Sequence, residues 1–324
     1  MRQMNKQTQT ACIFGGTGFL GRYIVQKLAR EGVRIKIATR TPQSAYFLRP
    51  YGDVGQIVPV MCDYSQASIE NMIEGCDMVV NCVGILYEKG KNSFKKIHTD
   101  LPSTIAKACR KHNVARFTHI SALGVNSAGS KYAKSKLKGE EKVLSHFEKA
   151  TILRPSVVFG AEDEFFNRFA AMMRFLPFLP LIGGDKPVMQ PVYVNDVAQA
   201  VHNVVFGDEV HQGRVYSLAG PEKMGFARIY GIIFEATNRW RPLVRLPFWL
   251  AKIQAFFLQL LPGAPLLTVD QVRSLQTPNI LQEGQLSLTD LGITPTGHAL
   301  IVPQYLKIFA KGQRGIDSAH SANA

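Results

Sequence analysis

Few folds accommodate a chain that runs from an apolar strand straight into four glycines and then into a helix. Residues Cys12 to Gly21 read Cys-Ile-Phe-Gly-Gly-Thr-Gly-Phe-Leu-Gly, and the helical stretch Arg22 to Arg30 follows. The tight turn needs a positive φ at Gly15 or Gly16, a bare backbone at Gly18 admits a pyrophosphate, and Gly21 lets the helix pack on the strand. The helix N-terminus then turns its unpaired N–H groups toward the phosphates. An ordinary glycine-rich turn is the weaker reading, because a strand and a helix flank these glycines as they do in a βαβ unit.

The next strand bears on which dinucleotide is preferred. Val33 to Ala38 alternates as a strand and ends in Thr39-Arg40, where an NAD-preferring site places an acid on the ribose 2′-hydroxyl. No acid stands there. The Arg40 guanidinium offers a bidentate fork to a 2′-phosphate with Thr39 in support, so NADPH is expected over NAD; the alternative is that Arg40 is a solvated loop charge.

Further alternation predicts a parallel, doubly wound α/β sheet. The remaining strands are expected at residues 56–62, 78–83, 115–121 and 150–154, with helical patterns between them. Their C-terminal ends would bring Asp63, Asn81 to Gly84 and Ser121 to the ligand crevice. Asp63 either accepts from an adenine amino group or caps the following helix. Tyr132 and Lys136, four residues apart, share a helix face, so an ammonium beside the phenol is expected to lower the tyrosine pKa toward neutrality. The run Ser130 to Lys138 is basic enough that a merely solvated face is the competing account.

These pieces in this order resemble the short-chain dehydrogenase/reductase superfamily in its extended or atypical branch. The resemblance rests on Gly15 to Gly21, Asp63, Asn81-Cys-Val-Gly84, Tyr132 and Lys136 in YxxxK spacing, Leu153 to Gly160, and Val192 to Ala198. It implies a Rossmann-type fold with cofactor-binding residues at Gly15, Gly16, Thr17, Gly18, Phe19, Leu20, Gly21, Thr39, Arg40, Asp63, Asn81, Val83, Gly84, Ser121, Tyr132, Lys136 and Pro155. Tyr132, Lys136 and Ser121 would stand in the catalytic places. The sequence departs from the family at the third catalytic group: Ser121 is followed by Ala122 and Leu123, and Leu123 occupies the position that usually carries the hydroxyl. A lost hydrogen-bond donor at the reacting oxygen costs orders of magnitude in rate. Tyr132 and Lys136 would then grip the nicotinamide ribose.

The C-terminal third, with Leu267 to Arg273, Leu291 to Pro295 and Val302 to Lys307, is similar to the nucleotide-binding accessory subunits of respiratory complex I and their alphaproteobacterial relatives. That resemblance implies NADPH as cofactor, little or no turnover, peripheral-arm complex I subunits as partners, and a peripheral place on the cytoplasmic face of a bacterial inner membrane. A working NADPH-dependent reductase or NAD(P)-dependent sugar-nucleotide epimerase/dehydratase is the alternative, motivated by the intact tyrosine and lysine.

Composition narrows the classes further. The net charge of +14 implies an acidic partner or an anionic surface, and scattered basic residues without an arginine-rich arm make nucleic acid the minor expectation. No metal is expected, because the eight histidines are dispersed and the five cysteines form no CxxC pair. Met1 to Thr10 is polar and lacks the apolar core of a signal peptide. The stretches Phe165 to Ile182 and Leu246 to Leu261 are strongly apolar, yet the second is too short to span a bilayer. Each is expected to face a core, a partner or a lipid interface, and the resemblance adds anionic lipid or the quinone-site region to the partners of the protein. The expected division is a nucleotide domain over 1–160 with a contribution from 185–205, a smaller, mostly helical domain over 161–312, and a disordered tail over 313–324.

Overall fold

The computed structural model describes residues 9–261 and 263–310, so the tail expected over 313–324 lies outside the described residues. The chain divides into two compact units. The first takes the described residues up to Pro155 together with Val194–Ala219 and Leu281–Thr294, and the second takes Ser156–Tyr193, Gly220–Ile280 and the described residues from Pro295.

Strand and helix alternate through the first unit: β1 Thr10–Phe14, α1 Phe19–Ala29, β2 Arg34–Thr39, β3 Ile57–Met61, α2 Gln66–Ile73, β4 Met78–Asn81, α3 Leu101–Lys111, β5 Arg116–Ile120, α4 Lys131–His146 and β6 Thr151–Pro155. A π-helical turn over Lys95–Asp100 leads directly into α3. The second unit then contributes β7 Val158–Phe159, α5 Phe166–Phe175, β8 Leu179–Ile182, β9 Val188–Met189 and β10 Val192–Tyr193. The chain re-enters the first unit with α6 Val194–Phe206 and β11 Val215–Leu218, and goes on in the second with β12 Met224–Gly225, α7 Phe226–Thr237, β13 Leu243–Leu246, α8 Phe248–Leu258, α9 Val269–Ser274 and α10 His298–Leu306.

The first unit is built on a seven-stranded sheet in the order β11-β6-β5-β4-β1-β2-β3, and every pairing in it is parallel. A parallel sheet needs cover on both faces, and the central strands accordingly read as near-continuous apolar runs. Ala11, Cys12, Ile13 and Phe14 of β1 are all fully buried. Cys12, Cys62, Cys76 and Cys109 lie in one core cluster with Phe14, Ile105 and Phe117, where they pack as small apolar groups. The chain order reverses between β1 and β4, which is where an open α/β sheet binds ligands, outside the carboxyl ends of its strands.

The second unit has its own core around Phe159, Phe166, Met173, Leu179, Ile229, Tyr230 and Val302. Phe165 to Ile182 therefore splits: Phe166, Ala170, Met173, Leu179 and Leu181 are core, whereas Phe175, Leu176 and Phe178 are exposed. Short strand pairs, β13 with β8 among them, brace its helices.

Candidate dinucleotide site

The glycine turn takes the conformation its sequence demands. Gly15 sits at φ +82°, and a Cβ there would come within 3.0 Å of the Cys82 carbonyl carbon and the Val83 nitrogen at the end of β4. A Cβ at Gly21 would run into the Gly15 carbonyl oxygen, so only glycine lets α1 start this close to the strand. Gly18 is the N-cap of α1 and no side chain caps the helix, which leaves that end to a phosphate. Thr17, Phe19 and Leu20 are half-buried around it, and Gly16 is buried.

The end of β2 is only partly as expected. Arg40 is exposed, as reading a 2′-phosphate requires. The Thr39 hydroxyl is buried and tied into the turn, accepting from the Thr41 N–H and donating to the Thr41 carbonyl. Asp63 is exposed after β3 and accepts from the Ser65 N–H at 2.9 Å, and hydrogen bonds from Ser65 hold its carboxyl below the usual range. The N-cap of α2 is Ser65 itself, whose side chain accepts from Ser68.

At the ends of β4 and β5 the side chains interlock. The Asn81 side-chain oxygen accepts from the Val83 N–H at 3.2 Å and shapes the approach to the exposed Gly84. Its amide lies 3.1 Å from His119 Nδ1, directly across the parallel pair. Because the amide donates, His119 carries its proton on Nε2, an assignment made from the bonding pattern. Burial holds His119 neutral, with its pKa lowered to about 3. His119 Nε2 and the Ser121 hydroxyl are buried without a hydrogen-bond partner among the described residues. Orphaned polar groups at the carboxyl ends of the strands fit a site completed by a polar ligand.

The tyrosine and lysine differ from the expectation. Removal from water pushes the half-buried Tyr132 phenol up to about 12 rather than toward neutrality. Lys136 is buried and donates to the Ile120 carbonyl at 3.2 Å, so its ammonium is committed to the end of β5. Burial lowers its pKa to about 8, with Glu140 opposing. Glu140 in turn accepts from Arg154 at 3.0 and 2.5 Å. Leu123 is buried, its N–H donating to the carbonyl of Pro155 at 2.8 Å; an aliphatic side chain offers no proton at this position.

His98 escaped notice in the sequence. It lies in the π-helical turn, accepts from the Ile85 N–H at Nε2 and contacts the Ser135 hydroxyl at Nδ1. Its ring meets Tyr132 edge-on with centroids 5.2 Å apart, and Phe94 stacks behind it. Burial lowers its pKa to about 2, so it holds the loop and the tyrosine as a neutral imidazole. Nothing in the local sequence distinguishes such a histidine from a surface one, because its partners lie up to 37 residues away.

The residues present fit a dinucleotide. The pyrophosphate would lie at the α1 N-terminus, and Ser121, with Lys136 at the end of β5, would hold a ribose or nicotinamide group. When bound, a reduced nicotinamide supplies a hydride.

Fold and glycine turn together define a Rossmann-type NAD(P)-binding protein. More particularly, the chain belongs to the NAD dependent epimerase/dehydratase family, which matches residues 11–219. It is 33% identical over 297 residues to the Arabidopsis thaliana mitochondrial NADH dehydrogenase [ubiquinone] 1 alpha subcomplex subunit 9, covering 88% of this chain and 74% of that one. The Mus musculus protein of the same name is 34% identical over 290 residues, covering 88% and 76%. Among solved structures, the Escherichia coli NADPH-dependent quinone oxidoreductase complexed with NADPH superposes with a TM-score of 0.73 at 18% identity, covering 91% of this chain and 99% of that one. At that identity the likeness concerns the fold.

Proposed function

We propose that this protein is an NADPH-binding accessory subunit of respiratory complex I, held peripherally at the cytoplasmic face of the inner membrane and turning over little or no cofactor. The observation that carries the reading is the similarity over most of the chain to the mitochondrial NADH dehydrogenase [ubiquinone] 1 alpha subcomplex subunit 9 of a plant and a mammal. The site chemistry supports it. Leu123 offers no proton donor, Tyr132 is a weak acid with its pKa near 12, and Lys136 is engaged by a backbone carbonyl. Such a site binds a dinucleotide and orients it without an evident route for moving a proton. Arg40, exposed at the end of β2, supports NADPH over NADH.

The test is native purification. Solubilised in mild detergent, the protein is expected to migrate with complex I subunits and to carry NADPH released on denaturation. Recovery as a free monomer or homo-oligomer, with no complex I subunit beside it, overturns the reading. A working reductase is the second reading, favoured by the retained spacing of Tyr132 and Lys136.

A further inference from the structure

Helix α8 is turned inside out relative to a helix of a soluble domain. Its buried residues are Ala251 and Ala255, which pack with Ile182 and Val272 of α9. Phe248 at its start packs partly buried on the same cluster, but Trp249, Ile253, Phe256 and Phe257 of the helix, and Leu260 and Leu261 just after it, are exposed. Small residues seat the helix closely while the bulky ones meet the surroundings, the reverse of ordinary amphipathic packing.

The exposed apolar surface continues along neighbouring elements of the same unit. Leu179 at the start of β8 pairs with Leu243 of β13, and Arg241 Nε donates to the Leu176 carbonyl. Trp240 precedes that arginine in the chain and is exposed, as are Phe175, Leu176 and Phe178.

Charge identifies the occupant. Between Glu235 and Asp270 the sequence holds Arg239, Arg241, Arg245 and Lys252 and no acidic residue; Arg239 is half-buried and donates to the Phe309 carbonyl, and Arg174 adjoins Phe175. Asp185 faces the ribbon from the turn after β8, 3.6 Å from Arg245 in an exposed pair. From Phe248 to Leu261 the polar side chains are Lys252, Gln254 and Gln259. Aromatic rings with flanking cations suit the boundary between headgroups and acyl chains of an anionic bilayer. At 11 residues α8 is about 16 Å long, against the roughly 30 Å of a hydrocarbon core. No helix among the described residues is long and apolar enough to cross a membrane.

We infer that α8, with the β8–β13 ribbon beside it, is a monotopic docking face for an anionic phospholipid surface. The helix lies in the interface with Trp249, Phe256 and Phe257 entering the acyl boundary and the arginines meeting lipid phosphates. This inference deepens the peripheral membrane placement of the proposed function, and because it concerns lipid contact by the chain alone, its failure leaves the subunit reading standing.

The molecule carries its own reporter. Its two tryptophans are both exposed, Trp249 on α8 at 65% and Trp240, shortly before β13, at 68%. Full-length protein is mixed with vesicles of equal parts phosphatidylglycerol and phosphatidylcholine, and with pure phosphatidylcholine vesicles. With the anionic vesicles, tryptophan emission is expected to shift to the blue and to be quenched by brominated acyl chains, and the protein should float with the lipid. Binding to the neutral vesicles is expected to be about tenfold weaker or more. Phe256→Ser with Phe257→Ser should weaken vesicle binding by about tenfold while leaving the melting temperature and NADPH binding unchanged, since these rings are 50% and 62% exposed. Trp240→Phe assigns the emission change to α8 if it persists. No shift with anionic vesicles at low salt overturns the inference, as does binding that survives the double phenylalanine substitution. A concentration-dependent blue shift without lipid would show that a second copy covers the face, and also overturns it.

Discussion

At the scale of single residues, two side chains put the proposed dinucleotide site to the test. Arg40 is the exposed cation at the end of β2, where no carboxylate is available to a ribose hydroxyl. Arg40→Asp is expected to weaken NADPH binding by about tenfold to a hundredfold and to reverse the preference toward NADH, because a carboxylate repels the 2′-phosphate. Calorimetric titration of both nucleotides against both proteins checks this; equal affinities in the unmodified chain would refute it. Lys136 is the second. Burial lowers its pKa from an ordinary 10.5 to about 8, so the folded chain gives up this proton before the unfolded chain does. Between about pH 8 and 10.5 the unfolded state binds more protons, and this group's contribution to stability rises with pH across that window. Below pH 8 the cost of burying the ammonium is present in full. Lys136→Met should therefore flatten the pH dependence of the melting temperature between pH 8 and 10 and leave stability at pH 7 unchanged or higher, while NADPH retention falls. Melting curves in the absence of cofactor, set beside nucleotide affinities, separate the two effects.

At the scale of elements, the β1–turn–α1 unit is where sequence and structure agree most closely. Glycine is a local signal: Gly15 at φ +82° and the contact of Gly21 with the Gly15 carbonyl both follow from residues six apart. Gly21→Ala is expected to cost about 1–3 kcal/mol, because a methyl there forces the turn and the helix apart. It should abolish tight NADPH binding at temperatures where the chain remains folded, and thermal melting with nucleotide titration would show both. Strands β1 to β6 were legible for the same reason, since apolar runs broken by turns are a short-range pattern. Strand β11 carries no such short-range signal: Val215–Leu218 is four residues long and is defined by its pairing with β6, some sixty residues earlier. Helix α8 shows the opposite limit. Its run of apolar residues suits a core, a partner or a lipid interface equally well, and only the packing of Ala251 and Ala255 reveals that the large side chains are outside. The lowered tyrosine pKa failed as an expectation because i,i+4 spacing fixes a shared helix face but not where a lysine tip goes. Here the ammonium reaches the Ile120 carbonyl.

At the scale of the whole molecule, the fold is one that hosts oxidoreductases and epimerases, and fold alone does not decide between them or an accessory subunit. A carbonyl reduction needs a proton delivered to the substrate oxygen as the hydride arrives. In this chain burial pushes the phenol of Tyr132 up to about 12 and keeps His98 and His119 neutral throughout the physiological range, and Leu123 is aliphatic. Bound NADPH is therefore expected to persist, with no oxidation above background, when the protein is mixed with a panel of quinones, ketones and sugar nucleotides and followed by nicotinamide absorbance. Tyr132→Phe removes one hydroxyl from the ring cluster of Phe94 and His98. In an accessory subunit this change weakens cofactor retention and leaves the absent turnover absent. In an enzyme it abolishes a measurable rate, because the interaction lost is one made in the transition state. Turnover of one substrate by the unmodified protein, lost in Tyr132→Phe, would establish the reductase reading. Retention of NADPH through purification, with its release rate raised in the variant and no rate in either protein, is the result expected of a subunit that holds its nucleotide as part of its structure.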